Sequence, residues 1–309
     1  MINVLFSAPD DDWVMYQDAL ETAFDTAGLD VTLSRDHAPD QTDYIIFTPT
    51  GPMSDFTPFT RCKAVLGLWA GVESIVTNET LTQPLARMVD DSLTQGMVEW
   101  VVGHTLRHHL GLDRHITAPE PDWDPAFPPL SKDRPVTILG LGALGAACGQ
   151  ALAQLGFPVT GWSRSPKTVD GVSCLSGPDV LLGALGTAQI VVLLLPLTDA
   201  TENIINAETL AVLPKGAVIL NPGRGALIDD DALLEALDTG QIGHATLDVF
   251  RTEPLPPENP FWHDPKVTVT PHIASVTRPA SAANVIAENI RRSEAGEPLL
   301  NLVDRAAGY

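Results

Sequence analysis

The sequence predicts an α/β fold in two domains, one of them built on a doubly wound parallel sheet. Three observations predict it. Short apolar runs alternate with helix-length mixed segments, the order that gives sheets covered by helices. Runs such as "IVVLLL" (190–195) are apolar without alternation, as in parallel strands buried on both faces. Finally, a strand-like "VTIL", the turn "GLGALG" and the small-residue helix "GAACGQALAQL" follow one another. A chain of 309 residues suits two domains, because single cores seldom grow past about 250–300 residues.

Each element can be justified in order. "INVLFSA" reads as a first strand, and "DWVMYQDALETAFDTAG" as a helix ending on Gly28. "DVTLS", "DYIIFTP" and "AVLGLWAG" are further strands. "TQGMVEWVVGHTLRHHLGL" predicts a long helix near 95–112, with Asp90 and Asp91 placed to cap it. The proline-rich "APEPDWDPAFPPLSKDRP" then reads as a connector or arm. After the glycine turn and its helix, strands are expected at "FPVTGW", "IVVLLLP", "AVILNPG", "HATLDVF" and "VTVTPHI", and "RPASAANVIAENIRRSEAG" is a C-terminal helix. There is no internal repeat.

Composition narrows the function classes. Eighteen Lys and Arg against 39 Asp and Glu leave a formal charge of −21, which argues against nucleic acid and anionic membranes as partners. Cys62, Cys148 and Cys174 are an odd, widely spaced set, which fits a reducing cytoplasm and neither a disulfide framework nor a zinc motif. The N-terminus has no basic region and no apolar run approaches the ~20 residues of a membrane span, so a cytoplasmic protein is expected. Against this acidity, residues 134–169 contain no Asp or Glu, where the mean density would place about four or five.

Inside that window Gly140, Gly142 and Gly145 form G-x-G-x-x-G between a strand and a helix, with Ala143 and Leu144 opening the helix. The first glycine permits the tight turn, the second lets a pyrophosphate approach the backbone, and the third allows close helix packing. The pattern alone is weak; its strand–turn–helix setting predicts a Rossmann-type dinucleotide site. An acid about 20 residues on would hold a ribose 2′-hydroxyl. The strand end there carries Ser163 and Arg164, with Lys167 close behind, so a 2′-phosphate is favoured and NADPH is expected over NADH, the latter binding more weakly. The plainer alternative is that Arg164 and Lys167 are ordinary solvated charges.

Three later residues fit the reduction of a 2-oxo acid. Arg224 in "LNPGRGALIDDDAL" can grip a carboxylate by two parallel hydrogen bonds. His272 in "TPHIAS" can protonate a carbonyl oxygen, and Glu253 in "LDVFRTEP" can orient and charge its ring. Taken singly, each has a bland structural reading; their order and neighbours make the set.

With these motifs in hand, the chain resembles the D-isomer-specific 2-hydroxyacid dehydrogenases along nearly its whole length, and most closely the bacterial glyoxylate/hydroxypyruvate reductases of the A type. "LGLWAGVESI", "GWSRSPK", "EPLPPENPFWHDPKVTVTPHIASVTRPA" and "DRAAGY" carry the finer likeness. The resemblance implies that Arg224, Glu253 and His272 are catalytic, that Asp248 contacts the nicotinamide carboxamide, and that Leu195, Pro196, Pro222, Gly223 and Ser275 join Arg224 and His272 in the cofactor site. It implies that Trp69, Ala70, Gly71 and Val72 hold the substrate carboxylate on backbone amides, although Trp69 stands where relatives have glycine. It also implies a flavodoxin-like, discontinuous substrate domain (1–98 and 276–309), a cofactor domain (99–275), a hinge at the long helix and after Ser275, substrate in the cleft with closure over it, and a homodimer through the cofactor domain in which the proline-rich arm takes part.

Two rivals stay open: a reductase of a bulkier 2-oxo acid such as phenylpyruvate, and a dinucleotide-sensing protein without turnover. The first turns on the region of Phe47, Trp69 and Arg278; the second is disfavoured by the intact Arg224, Glu253 and His272. Formate oxidation is disfavoured because family members that perform it carry glutamine at the position of Glu253. His104 and His108 lie one helical turn apart, but with no acid after His104 and no nearby cysteine, no metal is expected.

Overall fold

The structure, a computed structural model, describes residues 1–116, 123, 126–306 and 308. In chain order the first elements are β1 (Ile2–Ser7), α1 (Asp10–Thr26), β2 (Val31–Ser34), β3 (Tyr44–Phe47), β4 (Ala64–Gly67), β5 (Leu85–Ala86), α2 (Asp91–Leu110) and α3 (Asp113–Ile116). Then come β6 (Val136–Leu139), α4 (Ala143–Gln154), β7 (Val159–Ser163), β8 (Val172–Ser176), α5 (Leu181–Leu185) and β9 (Ile190–Leu193). The chain ends with α6 (Ala207–Ala211), β10 (Ala217–Asn221), α7 (Asp230–Asp238), β11 (Ile242–Leu247), β12 (Val267–Val269) and α8 (Pro279–Glu294). They form two compact units, Met1–Leu93 with Val276–Tyr309, and Thr94–Ser275.

The first unit holds a five-stranded parallel sheet in the order β2-β1-β3-β4-β5. That is the flavodoxin-like order. Alternation along β3 explains its two-sided burial: Tyr44 and Ile46 face one apolar cluster, Ile45 and Phe47 the other. The first cluster joins Leu20 and Phe24 of α1 to Ile286 and Ile290 of α8, so the C-terminal helix completes a core begun at the N-terminus. Asp10, Asp11 and Asp12 occupy the first turn of α1, where the helix dipole favours them.

The second unit holds seven parallel strands in the order β12-β11-β10-β9-β6-β7-β8. The order reverses at β6, between β7 and β9, and such a switch point is where open α/β sheets bind ligands. In β9, Val191 and Leu193 enter one cluster while Ile190 and Val192 enter the opposite one. The unbroken apolar run follows from this burial on both faces.

Three details depart from the sequence reading. The long helix starts at Asp91 rather than near 95, because Asp90 caps it, accepting from the Leu93 amide at 3.0 Å and the Ser92 hydroxyl at 2.7 Å. Strands β5 and β8 were not anticipated, the one being two residues long and the other a mixed polar edge strand. Of the proline-rich passage, read as an arm, residues 118–122, 124 and 125 lie outside the described residues. Among the described residues no helix is long and apolar enough to cross a membrane.

Candidate active site

The glycine turn is built by contacts that exclude larger residues at two of its three positions. Gly140 has φ +106°, and a Cβ there would lie 2.4 Å from the Leu194 carbonyl oxygen. A Cβ on Gly145 would lie 1.8 Å from the carbonyl oxygen of Gly140. Gly142 differs: a Cβ built on it meets nothing within 4 Å, so the surface above it is open. Gly142 is also the N-cap of α4, which has no side-chain cap and no acid in its first turn. Uncapped first-turn amides at Ala143 and Leu144 beside an open backbone fit an anionic pyrophosphate. Buried Leu195 and half-buried Pro196 follow β9, the strand beside β6 at the switch point.

At the end of β7, Ser163 is buried while Arg164 and Lys167 are exposed. The Ser163 hydroxyl donates to the Ser165 carbonyl at 2.8 Å, and its own carbonyl accepts from the Gly177 amide at 3.2 Å. The Trp162 indole donates to the Gly177 carbonyl at 2.7 Å, which ties this turn further to the end of β8. With the serine proton directed at the backbone, the two exposed cations are the groups at this strand end suited to a phosphate.

Arg224 leaves β10 through a turn organised by Asn221. The Asn221 carboxamide donates to the Arg224 carbonyl at 2.9 Å and accepts from the Gly223 amide at 3.1 Å. Pro222 and Gly223 are buried within it, and the Arg224 guanidinium donates to the Gly223 carbonyl at 2.7 Å. A Cβ on Gly225 would lie 2.0 Å from the Phe250 carbonyl carbon, so this turn abuts the segment that carries Glu253.

Glu253 and His272 are joined directly. His272 Nδ1 lies 2.7 Å from Glu253 Oε2, and Glu253 Oε1 accepts from the Phe250 amide at 2.8 Å. A carboxylate only accepts, so the proton of this contact sits on Nδ1 and leaves Nε2 as the working nitrogen. The pair is open to the surroundings, with side-chain exposures of 54% for His272 and 34% for Glu253.

The backbone under His272 is held from beneath. Its φ of +55° is in the left-handed region, which costs a non-glycine residue of order 1–3 kcal/mol unless its surroundings fix it. Asp248, fully buried, supplies that fixation. Its Oδ1 accepts from the Thr270 hydroxyl at 2.5 Å and the Ile273 amide at 2.9 Å, and Oδ2 from the Ala274 amide at 2.9 Å. The His272 amide donates to the Asp248 carbonyl at 2.8 Å. This positioning contribution of Asp248, and those of Asn221 and Thr270, are absent from the sequence reading. The asparagine of "LNPGRG" and the threonine of "TPHIAS" were its only trace. Ser275 ends the segment, packed where a Cβ on Gly96 would reach its hydroxyl at 2.7 Å.

In the first unit, the loop Trp69, Ala70, Gly71, Val72 follows β4. The Trp69 carbonyl accepts from the Met88 amide at 2.9 Å, and the Val72 carbonyl from the Ile75 and Val76 amides at 3.0 and 2.9 Å. Trp69 is exposed and Val72 buried, so the loop is anchored at its ends by its own unit.

Residues 103–274 match the family model described as D-isomer specific 2-hydroxyacid dehydrogenase, NAD binding domain. The chain is 41% identical over 257 residues to glyoxylate/hydroxypyruvate reductase A of Serratia proteamaculans (strain 568), covering 81% of this chain and 82% of that protein. A D-isomer specific 2-hydroxyacid dehydrogenase from Xanthobacter autotrophicus Py2, solved in complex with NADPH and MES, is similar with a TM-score of 0.93 and 41% identity, over 100% of this chain and 99% of that one. The NADPH-dependent glyoxylate/hydroxypyruvate reductase of Sinorhizobium meliloti, solved with NADP and sulfate, gives a TM-score of 0.85 and 34% identity over 100% of both chains.

Proposed function

The chain belongs to the D-isomer specific 2-hydroxyacid dehydrogenase family of NAD(P)-dependent oxidoreductases, and from that premise we propose that it reduces small 2-oxo acids, glyoxylate and hydroxypyruvate, to glycolate and D-glycerate with NADPH. The observation that carries the reading is the 2.7 Å pair of His272 and Glu253 beside the turn of Arg224. Arg224 grips the substrate carboxylate, and the carbonyl oxygen takes a proton from His272 Nε2. Glu253 accepts from Nδ1 and fixes the ring, leaving Nε2 for the proton transfer.

Bound NADPH supplies the hydride. The residues that would hold it are Gly140, Gly142, Ala143, Leu144 and Gly145 at the pyrophosphate, and Ser163, Arg164 and Lys167 at the 2′-phosphate. Leu195, Pro196, Pro222, Gly223 and Ser275 belong to the same set, with Arg224 and His272; Asp248, expected at the nicotinamide carboxamide, is instead fully buried with both carboxylate oxygens engaged beneath His272, and is assigned to positioning that backbone. The names of the Serratia and Sinorhizobium relatives support the choice of substrate, and the NADPH and NADP of the solved relatives support the choice of cofactor. A homodimer through the second unit is part of the same reading, and light scattering of the purified protein tests it.

The deciding experiment measures NADPH and NADH oxidation against glyoxylate, hydroxypyruvate, pyruvate and phenylpyruvate. The highest kcat/KM is expected with NADPH and the two small acids. A preference for phenylpyruvate would transfer the reading to bulkier substrates, and no turnover with any of them would favour a dinucleotide sensor.

A further inference from the structure

A second group of functional side chains lies on the α2–α3 side of the second unit. His108 stands in the last turn of α2, Asp113 opens α3, and His244 lies on β11. One potential ligand atom from each falls within 4.8 Å of the others, and all three residues are half-buried. The sequence reading weighed His108 only with His104, one turn away; the fold instead sets His104 against Trp100, the two rings tilted with centroids 4.3 Å apart, and the His108 and His244 rings 4.8 Å apart.

The two rings are oriented in the same way. His108 Nε2 lies 2.9 Å from the Thr246 hydroxyl, and His244 Nε2 lies 2.8 Å from the Thr268 hydroxyl. Thr246 and Thr268 are direct partners in the β11–β12 register, and His244 is two residues from Thr246 on the same strand face. Each imidazole thus has one nitrogen held by a neighbouring hydroxyl, the outer support that metal-binding histidines have. Asp113 accepts from Arg107 at 2.7 Å, and a carboxylate has further lone pairs.

We propose that His108, Asp113 and His244 form a binding site for a late first-row divalent cation, with Zn2+ the ion that suits it best. Two imidazoles and one carboxylate are a zinc-type donor set, and water completes the coordination at a half-buried position. Donors around a tetrahedral zinc stand roughly 3.4 Å apart, so side-chain rotations that draw these atoms together by up to about 1.4 Å complete it. Magnesium and calcium require oxygen donors and are excluded by the two rings.

The test uses the untagged full chain, treated with EDTA and desalted, titrated calorimetrically with ZnCl2 and separately with MgCl2. One equivalent of zinc is expected to bind and raise the thermal midpoint, with no response to magnesium. His108→Asn and His244→Ala should each weaken binding at least about tenfold while retaining the metal-free circular dichroism spectrum. Thr268→Val keeps all three ligands and should still weaken binding by about tenfold or more, which covers the case of a ligand variant that fails to fold. No zinc binding by the wild-type chain, or equal binding by the variants, overturns the site.

Discussion

His272 combines a left-handed backbone, an exposed ring and a carboxylate partner, and each of these has a different origin. The ring and its glutamate are legible in sequence because each sits in a short local motif. The role of Asp248 is not, because its side-chain bonds reach 22, 25 and 26 residues along the chain and exist only once β11 and β12 are paired. His272→Ala should lower kcat by about 10²–10⁴ while leaving NADPH affinity nearly unchanged, read by steady-state kinetics and by fluorescence titration of the cofactor. Near-normal turnover would remove His272 from proton transfer. The end of β7 carries the second residue-scale prediction. Arg164 and Lys167 are both exposed there, and the Ser163 proton is already directed at the Ser165 carbonyl. Replacing Ser163→Asp together with Arg164→Ser should weaken NADPH by about tenfold to a hundredfold and swing preference toward NADH. An NADPH preference that survives the double change would place phosphate recognition elsewhere.

Among the elements, α2 concentrates imidazoles that are buried or half-buried. His104, His108 and His109 lie on it, His244 faces it from β11, and all four are held below the usual histidine range chiefly by burial. His108 is pushed down to about 3, with His244 and Arg107 adding to the burial and Asp113 opposing it. Below about pH 6.5 the unfolded chain takes up protons that the folded rings refuse, so the stability these rings confer is complete above that pH and is lost as pH falls. His108 alone should account for roughly 1 kcal/mol between pH 7 and 5.5. Urea midpoints measured across that range in EDTA should fall, and His108→Gln should flatten the slope; an unchanged slope would assign the acid sensitivity to other groups. The extent of α2 itself was nearly legible, its start displaced only by the Asp90 cap. Strands with continuous apolar runs, such as β9, were legible because burial on both faces leaves a plain signature. β8 was not, because an edge strand with a mixed pattern carries none.

For the whole molecule, the α/β class followed from local patterns, while the two strand orders did not: nothing in a strand's own residues names its neighbour. The flavodoxin-like order of the first unit was reached only through family resemblance, since its core draws on α1 and α8, helices from opposite ends of the chain. Charge, by contrast, is a whole-chain property and fully visible in the sequence. Residues 134–169 hold Arg134, Arg164 and Lys167 and no acid, so their +3 leaves the rest of the chain at −24 of the total −21. Most of those acids repel one another, and the repulsion is greatest in the compact state. Screening should relieve it: the Debye length falls from about 30 Å at 10 mM salt to about 8 Å at 150 mM. The thermal midpoint should therefore rise by a few degrees as NaCl increases over that range, corresponding to about 1 kcal/mol for a protein of this size. Keeping salt below 150 mM separates screening from the general stabilisation that concentrated salts produce. The same ions weaken a guanidinium–phosphate contact, so NADPH affinity should fall over the range in which stability rises, and Arg164→Ser should reduce that fall. A midpoint that drops with added NaCl would mean that attractive ion pairs such as Arg61–Asp43 and Lys63–Glu294 outweigh the net repulsion.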